Sequence, residues 1–350
     1  MRHVLGVSAL SLPLALLASL AAPLAAAPGG APQTPPTPPA ADAALSERTA
    51  ALAPIQIDSL TLTPIVSTAP AGAKDEPMLV LDEAMPAGKV KIAEIAEGSV
   101  NSLTLTNGAD QPLFLMAGEV VLGGKQDRII GRNTVIPART TQDVPVFCVE
   151  HGRWSGGSRE FATAKALAHG TLRGKANFAS QGEVWREVAT KNAERKTENA
   201  SDTYRRVAQQ QSDGTLTALE QRVNAELAKL PATTRDRMVG FAVALNGAVA
   251  TVDVFGSPTL FRKLETKLVH SYLTEAVDVA ARPGAKPPTA ADVRAFMLDA
   301  DKAAEQRAYD TAAASTKTQQ GGRAAKAKVE LKTAPNAAPA PSVYETYQAH

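Results

Sequence analysis

Charged and amide side chains are concentrated in three short stretches, each beside a glycine and between apolar runs typical of β-strands. The stretches are Gly118-Glu119, Lys125-Gln126-Asp127-Arg128 and Glu150-His151-Gly152-Arg153-Trp154. Arginine side chains and backbone N–H groups at glycine turns can hold a phosphate or a carboxylate, and tryptophan offers a stacking face. We therefore expect these loops to converge at one end of a sheet and to bind an anionic group. The candidate binding residues are Glu119, Lys125, Gln126, Asp127, Arg128, Glu150, Arg153 and Trp154.

The same stretches allow two other interpretations. Their acids and arginines could form a buried salt-bridge network that closes the end of the sheet. Alternatively, Glu119, Asp127 or Glu150 could be the general base of a hydrolase that acts on a phosphorylated, nucleotide-like or glycosidic substrate. That chemistry needs a carboxylate with a raised pKa, within reach of a water molecule in a concave site. We expect a non-catalytic binding or interaction domain, with the hydrolase as the alternative.

A glycine pair beside Lys125 resembles a phosphate-binding loop but lacks its pattern. In a P-loop the lysine directly follows the second spaced glycine, and a serine or threonine that binds the metal comes next. Gly118 and Gly123 have the right separation, but Gly124 intervenes and Gln126 follows the lysine. The pair is therefore predicted to form a β-turn.

Cys148, the single cysteine, is predicted to be a buried structural thiol. It alternates with Val144 and Val146 in a strand pattern, which directs its side chain inward. The spacing from Cys148 to Arg153 is one residue short of the loop of cysteine phosphatases, which must also open a helix to lower the thiol pKa. The five histidines show no metal-ligand spacing, so the sequence predicts neither a metal site nor a cofactor.

The elements that must position these stretches change character along the chain. Short apolar runs over 54–155, separated by turn residues, predict an antiparallel sandwich or small barrel. From Gln181 the apolar spacing becomes helical, and Ser180-Gln181-Gly182-Glu183 has the pattern of a capping box. The expected fold class is therefore α+β, with a β-rich N-terminal half followed by a helical half, over 180–310, that contains one β-hairpin.

The predicted hairpin spans Val239–Phe255, with Asn246-Gly247 as a type I′ turn. The register that this turn implies places small side chains and Asp253 on one face. A helix packed on that face would account for the small residues, and a ligand bound beside Asp253 is the alternative. Ser257-Pro258 then provides the N-cap and the first-turn proline of a following helix.

Both ends of the chain differ from the single domain that is expected over 54–310. Residues 1–27 combine a weakly basic start, an uncharged Leu/Ala-rich run and small residues at a cleavage position, as in a secretory signal. The Pro/Ala-rich stretch 28–53 is expected to be an extended linker, and 311–350 a disordered basic tail. These features predict a periplasmic or secreted protein. An uncleaved leader, the alternative, would anchor it to a membrane.

The charge distribution argues against nucleic-acid binding. The chain has 37 lysines and arginines against 35 acidic residues, and the basic excess lies in the tail beyond Asp310. The expected domain is therefore slightly acidic, whereas a nucleic-acid-binding domain needs a basic face on its folded part. The expected partner is a small anionic ligand or another protein.

Several of these motifs together resemble the ARG and Rhodanese-Phosphatase-superfamily-associated protein domain, a little-characterised and mainly prokaryotic family. The residues that carry the resemblance are Met116–Glu119, Gly123–Arg128, Val144–Val146, Cys148–Trp154, Gln181–Trp185 and the hairpin Gly240–Phe255 with Ser257-Pro258. The resemblance covers roughly residues 55–280. The family name reflects association with ADP-ribosylglycohydrolase and rhodanese/phosphatase domains. By association only, it implies a ligand related to ADP-ribose or another phosphorylated nucleotide.

Overall fold

The computed structural model describes residues 44–69, 77–95, 98–154, 158–209, 214–333 and 342–350. Within these ranges the chain has a 3-10 turn at Leu45–Glu47, eighteen β-strands and eight α-helices. The strands are β1 (Thr49–Ala51), β2 (Ile55–Ile57), β3 (Leu60–Ser67), β4 (Leu79–Val80), β5 (Val90–Glu94), β6 (Ser102–Asn107), β7 (Leu113–Leu115), β8 (Glu119–Gly123), β9 (Arg128–Ile130), β10 (Thr134–Ile136), β11 (Thr140–Cys148), β12 (Phe161–Leu167), β13 (Met238–Leu245), β14 (Ala248–Phe255), β15 (Gln306–Asp310), β16 (Ala314–Gln320), β17 (Ala324–Leu331) and β18 (Ser342–Ala349). The helices are α1 (Leu81–Ala84), α2 (Gly170–Phe178), α3 (Gln181–Glu194), α4 (Arg205–Gln209), α5 (Gly214–Leu227), α6 (Ala232–Arg235), α7 (Pro258–Ala276) and α8 (Ala290–Asp301). Among these helices, none combines the length and the apolar character that spanning a bilayer requires.

The largest sheet has nine strands, and its order is β1-β3-β13-β14-β18-β17-β16-β15, with β2 also paired to β3. Every neighbouring pair is antiparallel. The hairpin β13–β14 lies inside this sheet, with β3 on one side and β18 on the other. Strands from both ends of the described chain therefore flank the hairpin.

Two smaller sheets carry the polar stretches of the N-terminal half. One has six strands in the order β12-β8-β9-β11-β6-β5, and the other has three in the order β10-β7-β4. In the six-stranded sheet β9 lies between β8 and β11, so the β8–β9 turn and the segment after β11 meet at one end. Buried Leu, Val and Ile side chains of the two sheets form a shared core.

The expected division into a β-rich half and a helical half is wrong, because strands continue to the end of the described chain. Strands β16, β17 and β18 occupy the region 311–350, where a disordered basic tail was expected. The lysines that suggested disorder have acidic partners: Lys326 Nζ lies 2.6 Å from Asp301 and 2.9 Å from Glu345. Small neighbours such as Ala327 are buried. Paired charges and buried alanines thus support strands whose composition alone suggests a tail.

The folded region also begins earlier than the sequence suggests. Leu45 is buried and β1 pairs with β3, so residues 44–53, which were expected to be linker, belong to the fold. The expected signal segment 1–27 and the rest of the expected linker lie outside the described residues.

Two local predictions are confirmed by the conformations and hydrogen bonds that they require. Asn246 and Gly247 both have positive φ, 50° and 86°, as a type I′ turn demands. Ser257 is the N-cap of α7, its side chain accepts a hydrogen bond from the backbone N–H of Leu260 at 3.1 Å, and Pro258 is the first helical residue.

The register of the hairpin changes beyond its turn. A β-bulge interrupts the pairing between Val243 and Ala244, so Asp253 lies opposite Phe241. Helix α7 packs against the hairpin, and its Tyr272 donates a hydrogen bond to Asp253 at 2.5 Å. A helix therefore covers Asp253, but the predicted register is wrong beyond the bulge. Asp253 shares a face with Phe241, against α7, whereas the small Ala242 belongs to a different core cluster, with Phe296 of α8.

Asp253 is the centre of a fully buried hydrogen-bond network. Arg173 of α2 donates to its two carboxylate oxygens at 3.0 and 2.7 Å, and the hydroxyl of Tyr344 on β18 also donates to it. Burial by itself would raise the pKa of Asp253, but Arg173 and the phenols hold that pKa below its ordinary value. Gly118 has a φ of +91°, and a Cβ there would lie 2.6 Å from Arg173 Cγ, so glycine makes room for the arginine.

We expect Asp253→Ala to lower the free energy of unfolding by about 3–5 kcal/mol, because it leaves Arg173 buried without its counter-charge. Urea unfolding measures this loss. The control is Arg222→Ala, which breaks the exposed Arg222–Asp58 pair and should cost less than about 1 kcal/mol. Equal losses in the two variants would show that the network contributes no more than a surface ion pair.

Candidate functional site

The six-stranded sheet brings seven of the eight predicted binding residues together. Arg128 lies opposite Cys148 in the β9–β11 pairing, so the segment that follows Cys148 runs beside Lys125-Gln126-Asp127. Gln126 donates to the backbone carbonyl of Glu150 at 2.8 Å, which fixes the two segments to each other. Two of the three stretches that were expected to converge at one end of the sheet therefore do so.

The carboxylate of Asp127 accepts four hydrogen bonds. Arg205 of α4 donates to both oxygens, at 2.7 and 2.8 Å, and Thr203 donates at 2.9 Å. The backbone N–H of Gly123 adds a fourth hydrogen bond at 3.1 Å. Because Asp127 is buried and fully engaged, it is a structural acceptor and not a base that meets a water molecule.

Glu150 is engaged in the same way. Its carboxylate accepts from Arg153 at 2.6 Å, from the backbone N–H of Asp127 at 3.0 Å and from Ser201 at 2.9 Å. Burial would raise the pKa of Glu150, but the hydrogen bond from Arg153 and the other donors lower it below its ordinary value. Glu150 is therefore a stable carboxylate counter-ion, which is the opposite of what a general base near neutral pH needs.

Lys125, Arg128 and Trp154 lie close together, and we call this group the tryptophan cluster. Trp154 is 46% exposed, and its ring centroid lies 5.3 Å from Lys125 Nζ and 5.9 Å from Arg128 Cζ. Arg153 reaches the same turn and donates to the carbonyl of Gly124 at 2.9 Å. The arrangement is an exposed indole with two cations beside it.

Arg128 is the least satisfied group of the tryptophan cluster. It is fully buried, and the hydrogen bonds that it donates to other described residues are both long, 3.4 Å, to the carbonyls of Asp127 and Ser99. Its Nε and the Oε1 atom of Gln126 have no hydrogen-bond partner in the part of the chain that the structure describes. Burial lowers the pKa of Arg128, and Glu94 and Cys148 oppose that shift through space.

Glu119, the eighth predicted residue, lies elsewhere. It begins β8 and pairs with Leu167 of β12, at the opposite end of the strand from Gly123. Its carboxylate accepts from Lys267 of α7 and, at 2.8 Å, from the backbone N–H of Met116. Burial raises its pKa above the ordinary value. The sequence analysis grouped Glu119 with the other seven residues, and that placement is wrong. Glu119 and Gly123 are the two ends of a five-residue strand, and such ends lie about 13 Å apart.

Cys148 is buried, as the strand pattern predicts. Its thiol donates to the backbone carbonyl of Glu150 at 3.3 Å, and burial raises its pKa. The side-chain amide of Gln181 accepts from the Cys148 N–H at 2.9 Å and donates to its carbonyl at 2.8 Å. The thiol is therefore a structural group that no described feature activates.

A second polar group, which the sequence analysis did not single out, lies next to Arg205. His169 Nδ1 lies 2.8 Å from the hydroxyl of Tyr204, and its Nε2 lies 3.0 Å from Glu187. The order hydroxyl, imidazole, carboxylate is that of a nucleophile triad. Tyr204 is buried, however, and its burial raises its pKa far above the ordinary value, so the triad holds α3 against the segments that precede α2 and α4. Neither Arg205 nor this triad forms a local sequence motif.

One protein-family model matches the chain. It is that of the ARG and Rhodanese-Phosphatase-superfamily-associated Protein domain, and it covers residues 49–335. No curated protein and no solved structure gives a significant match. The match starts with β1 and includes β15, β16 and β17, so these elements belong to the same domain as the tryptophan cluster.

The Glu187 interactions predict a specific acid sensitivity. Burial would raise the pKa of Glu187, but the hydrogen bond from His169 and the ammonium of Lys175 lower it to about 2, from an ordinary value of 4.5. A lowered pKa stabilises the fold above the unfolded-state value, and that stability is lost as the pH falls from 4.5 towards 2. We expect Glu187→Gln to be less stable than the wild type at pH 7, by about 1–3 kcal/mol, with the difference vanishing near pH 2.

Urea midpoints at the two pH values measure this effect. Glu226→Gln serves as the control, because Glu226 forms an exposed pair with Lys229 and should show little difference at either pH. A Glu187→Gln variant whose deficit persists at pH 2 would contradict the assignment to ionisation.

Proposed function

This chain belongs to the ARG and Rhodanese-Phosphatase-superfamily-associated Protein domain family, and from that premise we propose that it is a binding domain for a small molecule that carries an anionic group. The binding residues are those of the tryptophan cluster, Lys125, Arg128 and Trp154. One observation carries the proposal: Arg128 is fully buried, yet within the described residues no carboxylate lies within ion-pair distance of its guanidinium.

A buried guanidinium without a counter-ion is costly, and a bound anion supplies the missing charge. Two neighbouring polar atoms support this role, because Arg128 Nε and Gln126 Oε1 have no partner in the described chain. A carboxylate or phosphate oxygen accepts from the arginine, and a hydroxyl of the same ligand donates to Gln126. The arginine is held in place by two backbone carbonyls, so the ligand does not have to order it.

Trp154 provides the second part of the recognition. An indole that is nearly half exposed presents apolar area to a ligand, and planar or sugar rings pack well against it. The positive charge of Lys125 next to the ring strengthens the attraction for an anion that lies over it. A molecule with a ring and a nearby acidic group, such as a phosphorylated nucleoside, combines both requirements.

The hydrolase alternative receives less support from the geometry. Asp127 and Glu150 accept hydrogen bonds from arginines, and Glu119 accepts from Lys267. A general base needs a free oxygen near a water molecule, whereas these carboxylates serve as counter-ions. We therefore propose binding without catalysis.

We expect a phosphorylated nucleoside, tested as ADP-ribose and as AMP, to raise the melting temperature of the wild-type protein by several degrees at saturating concentration. Trp154→Ala and Arg128→Gln should abolish this shift. The shift is measured against each variant's own ligand-free melting temperature, so a loss of stability is not mistaken for a loss of binding.

Arg222→Gln is the matched control, because it changes an exposed arginine that pairs with Asp58 far from the cluster in sequence. Its ligand shift should equal that of the wild type. If neither compound, nor inorganic phosphate, shifts the wild type, or if Trp154→Ala keeps the full shift, the proposed function fails.

We also propose that the protein works outside the cytoplasm, in the periplasm or secreted. The uncharged Leu/Ala-rich run of residues 1–27 and the small residues at its end support this. In a bacterial host the full chain should be found outside the cytoplasm and shortened at its N-terminus, as mass spectrometry of the fractions would show. A chain lacking residues 1–27 should stay in the cytoplasm. Equal distribution of the two forms would exclude export by this segment.

A further inference from the structure

Helix α7 carries a stripe of basic side chains beside a cavity of about 380 Å³. Lys263, Lys267 and His270 are four and three residues apart, so they lie on one face of the helix. The cavity is also lined by Asp82, Lys165, Thr266 and Glu220 of α5, so every residue around it is polar. Its volume falls within the range of about 300–1,000 Å³ that is usual for small-molecule sites.

Both lysines are held by acceptors and keep a donor to spare. Lys267 Nζ donates to Glu119 and, at 3.0 Å, to Asp82. Lys263 Nζ donates to Glu83 at 2.6 Å and to the backbone carbonyl of Met78 at 2.8 Å. An ammonium group has three N–H donors, so within the described structure each lysine has one N–H left for a ligand oxygen.

His270 and Glu220 provide acceptors at the same cavity. His270 is 6% exposed, and its Nδ1 lies 2.7 Å from Glu220 Oε1. In the neutral ring this bond places the proton on Nδ1, which leaves Nε2 as an acceptor. Nε2 is buried and has no hydrogen-bond partner among the described residues. Glu220 Oε2 also accepts no hydrogen bond from them.

The spare groups therefore form two adjacent subsites of opposite character. Two lysine N–H donors suit a carboxylate, whereas the His270 nitrogen and the Glu220 oxygen suit an ammonium group. Three lysines, Lys165, Lys263 and Lys267, line the cavity, and the carboxylates of Asp82 and Glu220 line it beside them, so groups of both charges are within reach of a ligand. A ligand that carries both charges satisfies both subsites.

We infer that this cavity binds a small zwitterion, an α-amino acid with a polar side chain, whose carboxylate contacts Lys263 and Lys267 and whose ammonium contacts Glu220 and His270. The polar wall selects a polar side chain, because an apolar one would leave the surrounding charged groups without partners. This site is separate from the tryptophan cluster and does not depend on it.

Calorimetric titration of the full chain with L-serine and L-glutamine tests the inference. At least one of them should bind, and two blocked analogues should bind at least about tenfold more weakly. N-acetyl-L-serine lacks the ammonium, and L-serinamide lacks the carboxylate. Lys263→Gln and Glu220→Gln, which change partly exposed side chains, should also weaken binding at least about tenfold.

Matched controls lie on and beside the same helix α5. Glu226→Gln and Lys229→Gln change an exposed ion pair away from the cavity and should leave the affinity unchanged. Arg128→Gln should also leave it unchanged, which distinguishes this site from the tryptophan cluster. The inference is overturned if no amino acid binds at about 10 mM, if N-acetyl-L-serine binds as tightly as L-serine, or if Lys263→Gln and Glu220→Gln keep the wild-type affinity.

Discussion

The buried pair of Arg173 and Asp253 is the interaction on which the arrangement of the fold depends. Its members come from α2 and β14, and the two phenols that complete it, Tyr272 and Tyr344, come from α7 and β18. A charge pair of this kind is tolerated inside a protein only when every partner is in place. The smaller sheets, which carry the backbone of Gly118 against the arginine, and the nine-stranded sheet are therefore held in one defined relation.

That relation positions both proposed sites. One face of α7 places Tyr272 on the buried pair, and another places Lys267 against Glu119 of β8, so the helix connects the core of the large sheet to the six-stranded sheet. At the other end of β8, Asp127 holds Arg205 and so fixes α4 beside the loops that carry Trp154. In both places the carboxylates hold basic side chains in fixed positions, as the two proposed binding sites require.

The local chemistry of the sequence predicts part of this arrangement. The convergence of the Lys125 and Glu150 stretches follows from strand pairing, and the hairpin follows from Asn246-Gly247, because each depends on neighbours in the chain.

Arg205 was missed because its contact with Asp127 spans 78 residues and has no local signal. The C-terminal strands were missed because alanine and lysine suggest disorder until their partners across the sheet are known. The basic residues of α7 recur at helical spacing, but their acidic partners come from distant elements, so the sequence analysis did not single them out.

The position of β18 has a consequence for how the protein comes to exist in the cell. This strand is inserted between β14 and β17, and it brings Tyr344 to the central carboxylate. While a ribosome is still translating, residues 342–349 are missing, so the middle of the large sheet stays open and the chain cannot reach its final state. The large sheet is therefore completed only once its last described strand has been made, and every earlier intermediate leaves the edges of β14 and β17 unpaired.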